Sequence, residues 1–243
     1  MSDELELDNP VLVRWEFASE ERLATRNALY RELEEGTHAE DVVVDAVRAA
    51  APKHVLEVGC GAGEMARRIA HELGAKVLAA DTSQRMIDLA RQRGVDASIA
   101  DVQALPFEDA SFDCVVAGWV LYHVRDRDRA IGECARVLRP GGWFVVGTLG
   151  DDNLTDLWRF LGYEETRRLT FSSANGAEQL ARHFPRVETR EAKGVVVFHT
   201  SEAMRKLVAA DITRAHLSAN VPAQLTEPFR ARTHHTVFVA EKA

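Results

Sequence analysis

Apolar residues in this chain follow two rhythms that alternate. Around Val55, Val77, Val115 and Val145 they form short unbroken runs, the mark of strands covered on both faces. Between those runs they return every three or four positions, the mark of helices with one buried side. The pattern predicts strands at 54–58, 76–80, 95–100, 112–117 and 143–148, with helices at 64–73, 83–92 and 126–138. Gly74 and Gly94 close the first two of these helices. Two helices precede the first strand, from Arg22 to Leu33 with Gly36 as a stop and from Ala39 to Ala50. Thr37 and Glu40 read as a capping box for the second. Past Gly150 the rhythm loosens. Asn153 to Leu161 and Ala174 to His183 read as helical, and Val187 to Thr189 and Gly194 to His199 as strand pieces. Ser201 reads as the cap of a helix to about Leu217, Val221 to Phe229 as loop, and 235–240 as the last strand. Strand and helix in turn predict a doubly wound, mostly parallel α/β sheet with its ligand at the carboxyl ends of the strands.

One junction organises that sheet. In Val55-Leu56-Glu57-Val58-Gly59-Cys60-Gly61-Ala62-Gly63 a buried run ends in alternating glycines, and a helix opens at Glu64. Such a turn brings backbone N–H groups close to a small molecule. The spacing is not the GxGxxG of a dinucleotide fold, and the Gly-Lys-Ser/Thr of a P-loop is absent. Asp81 ends the next strand, where a carboxylate can accept from both hydroxyls of a ribose. Asp101 ends the third, followed by Val102, Gln103 and the turn Leu105-Pro106-Phe107, and Arg139-Pro140-Gly141-Gly142 precedes the fifth.

Together these residues, from Val55 to Thr148, resemble the class I S-adenosylmethionine-dependent methyltransferases, particularly the subgroup with the ubiquinone and menaquinone C-methyltransferases and many small-molecule enzymes. The resemblance implies a seven-stranded Rossmann-like sheet with N-terminal helices and a late helical lid. One structural domain is expected, with a helical cap at 1–50, a cofactor core at 51–150, and residues 151–243 completing the sheet and covering the acceptor. Glu57 and the turn Gly59, Cys60, Gly61 and Gly63 would hold the methionine end of S-adenosyl-L-methionine. Asp81 would take the ribose, Thr82 and Met86 would lie near the adenine face, and Asp101 and the Val102 N–H would meet the adenine edge. Gly118 and Trp119 would border the methyl group. Where related enzymes often carry a histidine pair, this chain has Tyr122-His123, with Tyr122 as lining and His123 as a base if the acceptor must lose a proton. S-adenosyl-L-homocysteine would be the second product. Each reading has a plainer counterpart: Asp81 as a helix cap, Asp101 as a surface turn, Met86 as core, His123 as a packed histidine.

Composition narrows the partners. The 243 residues carry a net charge of −8, which argues against the basic face that nucleic-acid binding needs. An RNA methyltransferase is therefore disfavoured beside an enzyme acting on O, N or C of a small molecule; the GxGxG spacing and Asp101 disfavour a nucleotide-dependent oxidoreductase, and a non-catalytic cofactor-binding module is a further alternative that the motifs do not separate from an enzyme. No apolar run reaches the ~18–20 residues of a membrane span. The acidic start lacks a signal-peptide core, so a cytoplasmic monomer or homodimer is expected. Cys60, Cys114 and Cys134 suggest neither disulfides nor zinc, and no metal is expected. His234 and His235 adjoin the last strand and would face opposite ways. Acceptor contacts are sought in Trp15, Phe17, Tyr30, Trp158, Phe160, Tyr163 and Phe171, with the helix from Glu202 to Leu217 as cover. Arg14, Arg167 and Arg168 are candidates for an acidic acceptor.

Overall fold

The structure is a computed structural model describing residues 7–9, 11, 21–164 and 168–243. Arg14, Trp15, Phe17 and Arg167 lie outside the described residues. The helices are α1 (Glu21–Leu33), α2 (Ala39–Ala50), α3 (Glu64–Leu73), α4 (Gln84–Gln92), α5 (Arg127–Val137), α6 (Thr155–Phe160), α7 (Gly176–Ala181) and α8 (Ser201–Ala209). The strands are β1 (Glu34–Gly36), β2 (His54–Val58), β3 (Lys76–Asp81), β4 (Asp96–Ile99), β5 (Phe112–Gly118), β6 (Leu138–Leu149), β7 (Arg186–Phe198) and β8 (Phe229–Glu241). They form one sheet in the order β1-β7-β8-β6-β5-β2-β3-β4. Strands β2 to β6 are parallel, and β8 runs against both neighbours. The chain leaves β2 toward β3 and β4, then returns to β2's other side as β5. The switch of direction lies between β2 and β5, where this topology opens a crevice.

The sheet has eight strands, one more than expected. The extra strand is β1, which the sequence presents only as three polar residues after a helix; it pairs with β7, setting Gly36 opposite Gly194. Strand β7 is continuous where two pieces are expected, because β8 pairs with it from Arg186 to Phe198 straight through the polar stretch. Thr37 caps nothing: His38 occupies the N-cap of α2 and makes no side-chain cap bond. Thr200, not Ser201, caps α8, its Oγ1 accepting from the Ala203 N–H at 3.2 Å. That helix ends at Ala209 rather than near Leu217, because Asp211 Oδ1 accepts from the N–H groups of Thr213 and Arg214 and folds the chain into a turn.

Alternation along the strands divides the core in two. Leu56, Val58, Val115, Ala117 and Phe144 face one layer with α5. Val55, Val77, Cys114, Val116 and Val145 face another with α2, α3 and α4. A third apolar cluster lies at the antiparallel end, where Leu29 of α1, Leu157 and Trp158 of α6, and Met204 and Val208 of α8 pack on Val196 and Phe198. This cluster anchors the helices that roof the crevice. Among the described residues no helix is long and apolar enough to cross a membrane.

Candidate active site

Above the strand ends lies a cavity of about 1050 Å³. Its floor is the glycine turn. The Cys60 N–H bonds the Ala80 carbonyl at 3.0 Å, and the Gly61 N–H donates to Asp81 Oδ2 at 2.9 Å. Asp81 therefore ties the turn to the end of β3, while its Oδ1 accepts from the Ser83 N–H at 2.8 Å. Burial pushes its pKa up against these N–H bonds. The helix cap itself is Ser83, whose Oγ accepts from the Met86 N–H, so capping does not exhaust Asp81.

Glu57 lies beneath the turn, 4% exposed, and its Oε2 is buried without a hydrogen-bond partner. Burial pushes its pKa up to about 8; one bond from the Ala66 backbone opposes this, while Asp81 and Glu40 reinforce it. An unpaired buried carboxylate is costly, and a cationic partner removes the cost.

Two glycines show why the turn is glycine-rich. Gly59 has φ +65°, and a Cβ there would stand 2.3 Å from Val120 Cγ2. Gly63 has φ +80°, and its Cβ would meet that of Ala90 at 2.9 Å. Gly63 is therefore needed to pack α3 against α4 and does not line the cavity. Met86 does not line it either: it is fully buried against Ala62 and Leu89, so the core reading holds.

Thr82, Asp101, Val102 and Gln103 line one side. The Asp101 carboxylate accepts from the N–H and the Nε2 of Gln103 at 2.9–3.1 Å. On the other side a Cβ at Gly118 would meet nothing within 4 Å. Trp119 follows with φ +56°, its N–H on the Gly147 carbonyl at 2.8 Å and its indole against the bare Cα of Gly147. Tyr122 is buried, with its ring 4.5 Å from that of His123. His123 Nδ1 donates to the Leu7 carbonyl at 2.9 Å, since a carbonyl only accepts. Arg127 holds Asp8 alongside. His123 thus lines the cavity and also fastens the segment before α1.

Cys60 lines the floor, but burial pushes its thiol pKa far up and its Sγ donates to the Gly61 carbonyl. Such a thiol is not a nucleophile. Among the described residues no group of three His, Cys, Asp or Glu side chains is placed to hold a metal.

Tyr30, Trp158 and Tyr163 line the upper cavity. Phe160 does not: it is 44% exposed and stacks on Phe229. Phe171 lies in the core against Phe238, and Arg168 is exposed away from the cavity. The expected helical cover from Glu202 to Leu217 contributes Asp211, Ile212 and Arg214 from the turn after α8. Arg214 is 5% exposed, its guanidinium 4.6 Å from the Trp158 ring and 4.9 Å from that of Tyr163.

Two features escaped the sequence reading. One is that α1 lies over the glycine turn, with Leu23 against Gly61 and Asn27 and Arg31 bonded to Glu64 at 3.4 and 3.0 Å. The signal was the spacing of Asn27 and Arg31, four apart on one helical face. The other is His235. His234 turns outward, its ring nitrogens bonded to Asp152 and Glu191, whereas His235 turns inward and lines the cavity. The alternation was legible; what lay on the inner side was not.

The fold is a Rossmann-like α/β sheet with its cavity at the switch in strand order. Residues 56–146 match the family model described as a methyltransferase domain. The similarity is to methyltransferases, and it covers that part of the chain. It is 39% identical over 101 residues to the 27-O-demethylrifamycin SV methyltransferase of Amycolatopsis mediterranei, covering 38% of this chain and 37% of that protein. It is 33% identical over 182 residues to the sarcosine/dimethylglycine N-methyltransferase of Halorhodospira halochloris, covering 61% of this chain and 63% of that one. The chain spans about half or less of the length of the first curated relatives it matches. Among solved structures it shares its fold with phosphoethanolamine N-methyltransferase 2 of Haemonchus contortus in complex with S-adenosyl-L-methionine. That match has TM-score 0.57 and 17% identity, covering 90% of this chain and 56% of that one.

Proposed function

We propose that this protein transfers a methyl group from S-adenosyl-L-methionine to a small-molecule acceptor. The observation that carries the reading is Glu57, a buried carboxylate with an unpartnered oxygen directly beneath the glycine turn. A ligand ammonium there supplies the missing charge, and Asp81, held at the rim by the turn, accepts from a vicinal diol. Asp101 and the Val102 N–H offer an acceptor and a donor to the edge of an adenine. The open face of Gly118 and the indole of Trp119 leave room at the sulfur. Thr82 adds a wall, and Cys60 fills space.

When bound, the cofactor supplies a methyl group made electrophilic by the sulfonium charge. What remains for the protein is alignment and exclusion of water. Helix α1 covers the turn through Leu23 and Asn27, and the aromatic rings of Tyr30, Trp158 and Tyr163 confine the acceptor. His123, oriented by the Leu7 carbonyl, stands on the wall as a proton acceptor for a substrate that must be deprotonated. Tyr122 packs behind it.

Two experiments test this. Calorimetry with S-adenosyl-L-homocysteine is expected to show one-to-one binding. Incubation of the protein and S-adenosyl-L-methionine with a panel of hydroxylated, amine and quinol acceptors is expected to give a product heavier by one methylene. An absence of binding by calorimetry would remove the reading.

A further inference from the structure

The wall that Trp119 shares with β8 holds a polar group with no partner. Trp119 Nε1–H lies 3.1 Å from His235 Nδ1. An indole N–H only donates, so Nδ1 carries the lone pair and the neutral ring carries its hydrogen on Nε2. His235 is 8% exposed and lines the cavity, yet Nε2 is buried without a hydrogen-bond partner. The neighbouring carboxamide does not serve: Asn153 Oδ1 is taken by the His234 N–H at 2.8 Å, and its amide bonds Tyr30. From the cavity, Nε2 is approached beside Tyr30, whose ring stands edge-on to His235 with centroids 5.9 Å apart. Native proteins rarely leave a buried donor unmatched, because doing so forfeits its hydrogen bond to water. Burial also pulls the His235 pKa down to about 4, so the ring is neutral near neutral pH.

We infer that His235 recognises the methyl acceptor, its Nε2–H donating to an oxygen lone pair on the substrate while Trp119 fixes the ring in the tautomer that can do so. The acceptor class is a molecule bearing a carbonyl or carboxylate oxygen. A ring locked this way cannot take a proton at Nε2, so His235 is a binding group and leaves proton acceptance to His123. Trp119 is the positioning residue. This inference rests on the methyltransferase reading.

The test uses the full chain, labelled with ¹⁵N at histidine and saturated with S-adenosyl-L-homocysteine, observed by long-range ¹H–¹⁵N spectra. The probes are acetophenone for a neutral carbonyl, benzoate for a carboxylate, and ethylbenzene as a control without oxygen. The expected result is a His235 ring protonated at Nε2 and not at Nδ1. Its Nε2–H is expected to move downfield with acetophenone or benzoate and to stay put with ethylbenzene; the two oxygen probes distinguish a ketone from an acid. His235→Gln, which keeps an N–H donor, is expected to retain a preference for the oxygen probe over ethylbenzene. His235→Phe is expected to lose it, by ~10-fold, the worth of one hydrogen bond in a dry site. A ring protonated at Nδ1, an Nε2–H unmoved by both oxygen probes, or equal shifts with ethylbenzene overturns the inference and assigns the hydrogen to an ordered water only. Wild-type protein that fails to bind S-adenosyl-L-homocysteine fails the methyltransferase reading instead, and calorimetry reports that separately.

Discussion

The candidate site rests on a few carboxylates whose surroundings are unequal. Asp81 is tethered by backbone N–H groups and Glu57 is nearly abandoned, and that contrast sets what each variant does. Asp81→Ala is expected to weaken S-adenosyl-L-homocysteine binding by about 1–3 kcal/mol, the loss of buried hydrogen bonds to a polar ligand. Unchanged affinity in calorimetry would take Asp81 out of the site. Glu57 supplies a pH signature. With its pKa near 8 in the free protein, it is largely neutral at pH 6 and charged at pH 9. An ammonium prefers the charged form, so cofactor affinity should rise from pH 6 toward pH 8, above which the ligand's own amine loses its proton, and Glu57→Gln should flatten the rise. His123→Ala is expected to leave cofactor affinity intact and lower turnover, read by single-turnover kinetics once an acceptor is in hand; unchanged turnover would leave His123 as a latch for Leu7 only. His235 leaves its pH signature in stability. Its folded pKa near 4 lies below the ordinary 6.5, so its contribution is present above pH 6.5 and disappears as pH falls toward 4. The loss amounts to about 3 kcal/mol, and chemical denaturation of His235→Phe should lack that part of the acid slope.

At the scale of elements, the parallel half was legible and the antiparallel half only in pieces. Strands β2, β3 and β5 are continuous apolar runs because both faces are covered, and glycines or caps mark their helices. Residues 54–58 and 64–73 fold within the boundaries their pattern predicts. The continuity of β7 was obscured because Arg190 to Lys193, between its two legible pieces, is mostly charged at an edge of the sheet, and the ladder with β8 carries the strand through it. The same holds in the site. The glycine turn and the strand-end acids declare themselves by spacing, whereas His235 and α1 reach the cavity only through tertiary packing. Gly63 is a case in between, chosen for the fit of two helices rather than for a ligand. Gly63→Ala is expected to lower stability by about 1–3 kcal/mol, from strain at positive φ and contact with Ala90. Thermal unfolding will read this, and an unchanged midpoint would deny the packing role.

At the scale of the molecule, one sheet serves two ends. The parallel strands supply the cradle and the antiparallel ribbon carries the roof, through the cluster of Leu29, Trp158, Phe198 and Met204. A ligand spanning both should bind the folded state and raise its stability. At 100 times its dissociation constant the gain is about 2.7 kcal/mol, or roughly 5–10 °C in the melting midpoint of a domain this size. S-adenosyl-L-homocysteine in a thermal-shift assay tests that.

Trp119 is a partition: its indole hydrogen grips the imidazole of His235, and in the proposed reading the cofactor's sulfur would lie on its other side. Neither occupant can be indifferent to the other, since whatever nudges the partition for one alters the fit for its neighbour. Thermodynamics makes such an influence mutual. By whatever factor the donor sharpens or blunts the hold on its co-substrate, the co-substrate must return the same factor.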